Sequence, residues 1–247
     1  MRKFTFFFMF VILFASFNIS QAFASEAFPS SQDYHEQRLK FLKDKGFKPN
    51  VIYDVGAFRG LWSVEIKKVF NEAQFFLFEA NEANKSYLEK LPFPHFIAVL
   101  GDHKGLVTFY ANNTTGDSVF REQTQWYKKD SCLEKSVPMT TLATLVLENK
   151  IPLPNLIKID VQGAEKLIIE GSKSIICHAE VVILETKILE YNKGAPLIYE
   201  MMQLMDGLGY CVLDILEWHY LPTHELNEID LLFVKKDSAL IKRGILW

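Results

Sequence analysis

The sequence predicts an α/β fold, a mostly parallel sheet covered by helices on both faces and carrying one antiparallel strand near an end. Three observations carry that expectation. From residue 50 onward, short apolar runs alternate with stretches of helical periodicity. The run Val181–Glu185 is apolar without a break until its closing acid, as suits a strand buried on both faces. The last two runs, Tyr210–Leu216 and Ile229–Val234, are joined by Trp218-His219-Tyr220 and a polar stretch too short for a crossover helix, so they should pair antiparallel. With 247 residues, the chain suffices for one well-buried domain and not for two large ones.

Residues 1–24 stand apart. Arg2 and Lys3 precede an apolar run, Phe4–Phe17, broken by Thr5 and Ser16, and Ala22-Phe23-Ala24 fits a small-x-small cleavage site. That combination reads as a secretory signal peptide with Ser25 as the mature start, which implies a periplasmic or secreted protein. The alternative is an uncleaved anchor on the inner membrane, although the run is short of the roughly 18 to 20 apolar residues of a spanning helix. A membrane is expected as a partner only in that second case. Residues 25–49 read as a polar leader and a short helix, Tyr34–Lys45, stopped at Gly46, and residues 50–247 as the main domain.

The formal net charge is -3, and removing residues 1–24 takes away two basic residues, leaving 25 basic against 30 acidic, or -5. Such a balance gives no reason to expect nucleic acid as a partner. Cys132, Cys177 and Cys211 are widely spaced and form no CxxC pair, so no metal site is expected; one disulfide is open to them, but Cys177 and Cys211 adjoin apolar runs and read as small core residues.

The elements follow in order. Residues 50–55 form the first strand, and Leu61, Val64, Ile66, Val69 and Phe70 mark the helix after it. Gln74–Glu79 is the second strand, Ala83–Leu91 a helix stopped by Pro92 and Pro94, and His95–Leu100 a third strand. A turn over Gly101–Gly105 leads to a strand at Leu106–Tyr110. Residues 111–136 read as a long loop or lid carrying Trp126 and Tyr127, aromatic rings suited either to stack on a sugar or to pack the lid down. Regularity returns with a helix at Thr141–Asn149, a strand at Leu156–Asp160, a short helix at Gly163–Glu170 closed by Gly171, and an amphipathic helix at Pro196–Leu208.

The chemistry begins at the first strand's end, Asp54-Val55-Gly56-Ala57-Phe58-Arg59-Gly60. A dinucleotide turn needs Gly-x-Gly-x-x-Gly, whose second glycine admits a pyrophosphate; Phe58 occupies that position. No Gly-Lys-Ser or Gly-Lys-Thr phosphate loop is present. What remains, Asp-x-Gly-x-x-x-Gly, lets the backbone approach a ligand that lacks a diphosphate. Glu79, ending the next strand, suits a ribose diol. Together these are the needs of S-adenosyl-L-methionine.

A second constellation, Lys158-Ile159-Asp160-Val161-Gln162-Gly163-Ala164-Glu165, joins the first in a family resemblance. The chain resembles the FkbM-family methyltransferases. Their pattern has an Asp-x-Gly-Ala-x-x-Gly turn, a strand ending Phe-Glu-(Pro or Ala)-Asn, a Lys-Ile-Asp-Val-(Glu or Gln)-Gly-(Ala or Tyr)-Glu block and a later strand ending in Glu. The matches lie at Asp54–Gly60, Phe78–Asn81, Lys158–Glu165 and Glu185, while Ala98–Asp102 and Ser118 also fit. Phe58 stands where the family often has Asn, and Ala80 where it often has Pro.

The resemblance implies a Rossmann-like class I methyltransferase fold with a seven-stranded sheet. It implies S-adenosyl-L-methionine as donor and O-methylation of a hydroxyl on a sugar, a glycan or another small molecule. By the same resemblance Asp54, Gly56, Ala57 and Gly60 line the methionine end, Glu79 holds the ribose, and Asp102 reaches the adenine amine or is a plain turn residue. Asp160 is the candidate base, with a helix N-cap as its alternative. Glu165 reads as part of the same cap or as a substrate contact, Glu185 as a substrate contact or a solvated rim acid, and Ser118 and His219 as further substrate candidates. Lys158 should lie in the strand beneath the site, paired with an acid. One fact opposes catalysis: the donor is a cytosolic metabolite and the leader directs export. An uncleaved anchor, a compartment that supplies the donor, or an inactive binding module that keeps the fold would each reconcile the two.

Intact-mass measurement of the protein recovered from an exporting host should give a chain starting at Ser25. A mass that includes residues 1–24 would establish the anchor instead.

Overall fold

A computed structural model describes residues 31–111, 116–123 and 133–241. Residues 1–24, read from the sequence as a signal peptide or anchor, and Trp126, Tyr127 and Cys132 lie outside the described residues. No helix among the described residues is long and apolar enough to cross a membrane.

The centre of the molecule is β2 (Val51–Val55), buried at all five positions. It pairs in parallel with β3 (Gln74–Glu79) on one side and β8 (Leu156–Ile159) on the other. Beyond β3 lies β4 (His95–Ile97), and beyond β8 lies β9 (Val181–Lys187), both parallel. The long strand β11 (Leu226–Lys235) enters antiparallel to β9, and β10 (Tyr210–Tyr220) pairs antiparallel with β11. These seven strands form the expected mostly parallel sheet. An eighth, β1 (Ser31–Asp33), adds itself outside β10 from a stretch that reads as polar leader. Three residues leave too short an alternation to announce a strand.

Period-two alternation sends the two faces of each strand to separate cores. On one face Tyr53, Val55, Phe78 and Ile157 pack with residues of α4 (Leu142–Glu148), α5 (Glu165–Gly171), α6 (Lys173–Ile176) and α7 (Ile198–Gly207). On the other, Ile52, Phe75, Leu77 and Leu156 pack with α1 (His35–Asp44), α2 (Leu61–Val69) and α3 (Lys85–Leu88). Helices therefore cover both faces, as expected for a Rossmann-like class I sheet.

Several elements differ from their sequence expectation. The run His95–Leu100 splits at Ala98. Its second half, β5 (Val99–Leu100), leaves the main sheet and joins β6 (Gly105–Ala111) and β7 (Leu133–Thr140) in a separate three-stranded sheet, order β5-β7-β6. β7 begins inside the stretch read as a loop. Most of its early positions are exposed, so no apolar alternation marks it. The helix expected at Ala83–Leu91 shrinks to a 3₁₀ turn at Glu82–Asn84 followed by the four residues of α3. Cys177 is exposed rather than a core residue, because it caps α6 just beyond the buried Ile175 and Ile176. Cys211 is half-buried, and both thiols are free.

Gly171 ends α5 rather than capping it, and its purpose is proximity: a Cβ there would sit 2.5 Å from the Gly101 carbonyl oxygen and 2.6 Å from the Asp102 Cα. This contact seats α5 on the turn that leaves β5. Gly171→Ala should lower unfolding stability by about 1–3 kcal/mol through overpacking against backbone that has little room to move. Urea denaturation checks it, and an unchanged midpoint would refute the contact.

Candidate active site

The site is built on the carboxyl ends of β2, β3 and β8, where an open α/β sheet presents its loops. Gly56 leaves β2 with φ +83°, and its N–H and that of Ala57 donate to the Phe78 carbonyl at 2.9 and 3.0 Å. A Cβ at Gly56 would fall 1.8 Å from the Asp160 carbonyl oxygen, so the turn lies directly against the end of β8. Gly60 caps α2 with φ +76° and packs on Leu91, Leu77 and Leu88, away from the cavity. Asp54 is 1 % exposed and lies beneath the turn. Its Oδ2 accepts the Ser63 hydroxyl at 2.6 Å, while Oδ1 has no hydrogen-bond partner among the described residues. Burial pushes this carboxyl above its ordinary range, against the pull of Lys158.

Glu79 closes β3 and reaches back to the same turn. Its Oε2 accepts the Phe58 N–H at 2.7 Å, and its Oε1 accepts the Asn81 N–H at 2.8 Å and the Asn84 amide at 3.1 Å. A carboxylate offers about four acceptor positions, so three donors leave one for a ligand. Glu79 therefore has room for one new hydrogen bond rather than for both hydroxyls of a diol. Burial raises its pKa, and the three donors oppose the rise.

β8 continues into the Asp160 turn. The Lys158 ammonium is buried and meets Asp160 Oδ2 at 2.6 Å, the acid partner expected for it. Burial acts to raise the Asp160 pKa, but Lys158, followed by Lys187 and His35, outweighs it and holds the carboxyl below the ordinary range. Asp160 is thus a firm carboxylate and a weak proton acceptor. It is not the N-cap of α5, a place taken by Ala164. The chain instead turns through left-handed Gln162, φ +58°, and Gly163, φ +103°. That turn delays the helix from Gly163 to Glu165. Glu165 is 2 % exposed, and its Oε1 accepts the Val161 and Gly163 N–H groups at 3.0 and 3.2 Å. Of its two readings the structure selects the structural one, because this side chain closes the turn.

Gln162 is the hub that sequence reasoning missed. Its Nε2 donates to both Glu185 oxygens at 2.9 and 3.1 Å. Its Oε1 accepts from Lys187 Nζ at 3.1 Å and Tyr191 Oη at 2.9 Å, and its backbone carbonyl accepts the Ser118 hydroxyl at 2.7 Å. Lys187, 1 % exposed, also pairs with Glu185 at 2.9 Å and with Glu228. Glu185 is neither a rim acid nor open to substrate. It is buried in this network, and burial carries its pKa well above the ordinary range, with Lys187 opposing and Asp160, Glu228 and Glu165 assisting.

Between the three strand ends lies an open cavity. Glu79, Asp117, Ser118 and Asp160 contribute its polar side, and Phe58, Val99, Leu100, Phe109, Val119 and Ile168 its apolar wall. The three-stranded sheet supplies much of that wall, a contribution hidden in the sequence because β7 was. Of the residues expected at the donor, Asp54, Ala57 and Gly60 lie outside this lining, and so do Asp102 and His219. Asp102 lies outside the lining, 40 % exposed and bonded to His103 Nδ1 at 2.7 Å, because the chain bends away at Gly101 to meet β7. His219 also lies outside it, on β10, where Glu217 accepts from Nε2 at 2.9 Å and raises the imidazole pKa.

A nearby cluster joins His35, Glu217 and Asp230, whose ligand-type atoms all lie within 4.8 Å of one another. The Trp62 indole N–H donates to His35 Nδ1 at 3.0 Å, which places the imidazole proton on Nε2, facing Asp230 Oδ2 at 3.0 Å. The imidazole therefore presents a proton to the carboxylates and not a lone pair to a cation. Trp62, His35 and Asp230 form a hydrogen-bonded chain that ties α1 and α2 to β11.

The family model that matches this sequence is the Methyltransferase FkbM domain, over residues 54–212. Among solved structures, the fold is similar to an FkbM methyltransferase from Methylobacillus flagellatus, with 12% identity and a TM-score of 0.48, covering 74% of this chain and 43% of that one. This chain thus spans less than half of that protein's length. It is also similar to a precorrin-6y C5,15-methyltransferase from Geobacter metallireducens, with 11% identity, a TM-score of 0.44, and coverage of 82% and 87% of the two chains. A third is the 1,6-didemethyltoxoflavin-N1-methyltransferase of Burkholderia thailandensis, solved with 1,6-didemethyltoxoflavin and S-adenosylhomocysteine; the values are 10% identity, a TM-score of 0.45, and coverage of 83% and 80%. No curated protein matches the sequence.

The Lys187 network generates a direct test. Lys187→Ala leaves the buried Glu185 and the half-buried Glu228 without their cation, which should destabilise the fold by about 3–5 kcal/mol. Chemical denaturation with unchanged m-value reads the loss; a cost under about 1 kcal/mol, the scale of exposed pairs, would show that the network is solvated after all.

Proposed function

Because this chain belongs to the FkbM methyltransferase family, we propose that it transfers a methyl group from S-adenosyl-L-methionine to a hydroxyl oxygen of a sugar, a glycan or another small molecule. One observation carries the proposal. The Gly56 turn, Glu79 and Asp160, brought together from three strands, line a single cavity at the sheet's carboxyl edge.

The residues present fit the donor. Gly56 leaves backbone where a side chain would collide. Asp54, buried beneath the turn and outside the cavity lining, supports the site from below by accepting the Ser63 hydroxyl of α2. Glu79 retains one acceptor position for a ribose hydroxyl. When bound, S-adenosyl-L-methionine supplies an electrophilic methyl group on a sulfonium. The protein's remaining work is to align the acceptor oxygen and to exclude water. Asp160 faces the cavity as a carboxylate held ionised by Lys158, so it suits the task of orienting a hydroxyl by accepting its hydrogen bond. Its depressed pKa makes it a poor sink for the proton, so the acceptor's proton leaves to water or to another base. Ser118, bonded to the Gln162 carbonyl, fixes the wall opposite.

Isothermal titration of the purified protein with S-adenosylhomocysteine tests the reading. Saturable binding is expected, and Glu79→Ala should weaken it by about 10- to 100-fold, the loss of one charged hydrogen bond. No binding by the unaltered protein, or the same affinity in the variant, would sink the assignment.

A further inference from the structure

We propose that Asp54 is a positioning residue that shares the Lys158 ammonium with Asp160 and receives it when a cationic donor occupies the cavity; this rests on the donor assigned above. Asp54 and Lys158 are register partners on the parallel strands β2 and β8. Ile52 and Leu156, two residues earlier on those strands, pack in the core under α1 and α2, so period two sends Asp54 and Lys158 to that same face. Neighbouring strands lie about 4.8 Å apart, so a short swing carries the ammonium from one carboxylate to the other. In this structure Lys158 takes Asp160, at 2.6 Å, and Asp54 Oδ1 is buried with no hydrogen-bond partner among the described residues. A buried carboxylate oxygen in that condition is costly, and native proteins rarely keep one without a use for it.

Three acids act on Lys158: Asp160, Asp54 and Asp230. Asp230 is already engaged, with its Oδ2 3.0 Å from His35 Nε2. The Trp62 ring, its centroid 5.8 Å from the ammonium, bounds the space on the α2 side. Of the three acids only Asp54 has a buried oxygen without a partner, and the Ser63 hydroxyl on its Oδ2 holds the side chain in place. Asp160 lines the cavity, so a sulfonium bound there is a second cation beside it. Two cations at one buried carboxylate repel. Lys158 relieves that repulsion by turning to Asp54, which stays beneath the cavity and never meets the ligand. The cavity then admits a positive donor at a smaller cost than a fixed Lys158–Asp160 pair would impose. With the neutral product in place, the ammonium belongs on Asp160 again.

Two measurements with one pair of ligands test this. S-adenosylhomocysteine is neutral at sulfur, whereas sinefungin carries an ammonium group at the place of the donor's charge. Crystal structures of the unaltered protein should show Lys158 on Asp160 with S-adenosylhomocysteine, and within about 3 Å of Asp54 Oδ1 with sinefungin. In calorimetry, Asp54→Asn should weaken sinefungin by about tenfold, the loss of one charged hydrogen bond, and leave S-adenosylhomocysteine within about twofold. Ser63→Ala, which removes the hydroxyl from Asp54 Oδ2 and leaves the charge, should treat the two ligands alike. The proposal is overturned by a Lys158 that stays on Asp160 in both complexes, or by a loss in Asp54→Asn that is absent or equal for both ligands. A sinefungin-selective loss reproduced by Ser63→Ala would overturn it as well. Should Asp54→Asn fail to fold, the two structures of the unaltered protein decide. Failure of the unaltered protein to bind either ligand would overturn the donor assignment and this inference with it, a result distinct from binding with Lys158 unmoved.

Discussion

The site depends on one close approach, the Gly56 backbone against the Asp160 carbonyl. Parallel pairing of β2 with β8 brings the two strand ends level, and the Asp160 N–H donates to the Val55 carbonyl at 2.9 Å to complete the ladder. With a side chain at residue 56 the two turns could not both leave the sheet where they do. Because Gly56 has none, the first turn folds toward β3, where Phe78 and Glu79 receive its N–H groups. The cavity is the space that remains above this junction.

Around that junction the protein buries an unusual amount of charge, and it does so in paired sets. Lys158 sits by Asp160 and within electrostatic reach of Asp54; Lys187 sits between Glu185 and Glu228. Burial disfavours each ion alone, and the mutual attraction only offsets that penalty when further hydrogen bonds complete the shell. Gln162 provides that completion for Glu185 and Lys187. The result is a rigid floor whose outermost member, Asp160, keeps its charge where the cavity needs it.

The sequence showed strand–turn–helix alternation plainly, because β2, β3, β8 and β9 are buried runs with acids or glycines at their ends. Gly56, Glu79 and Asp160 could be placed on one edge from that alone. What stayed hidden was non-local. β7 has mostly exposed side chains and pairs across a long connection, so neither period nor propensity marks it. Without β7 the split at Ala98 is invisible, and so are the outward turn of Asp102 and the arrival of Asp117. Glu185 misled for a related reason. A strand-end acid looks solvated until the buried lysine two residues later, Lys187, is seen to share its surroundings.

Phe58 and Gln162, both non-glycine and both at positive φ, line the cavity on either side of the junction. A left-handed residue with a Cβ costs about 1–2 kcal/mol, so each needs an interaction that holds it there. For Phe58 the holder is Glu79, which accepts its N–H, while Arg59 spans the Phe58 ring at 4.8 Å and the Tyr87 ring at 4.3 Å. For Gln162 it is the set of hydrogen bonds to Glu185, Lys187, Tyr191 and Ser118. The acid assigned to the ribose is thus also the group that stabilises the turn. The segment that carries Asp117 is likewise fastened, through Ser118, to β6 and to the turn that presents Asp160. Ligand contacts and backbone restraint share the same atoms, so binding at one wall of this cavity bears on the geometry of the other.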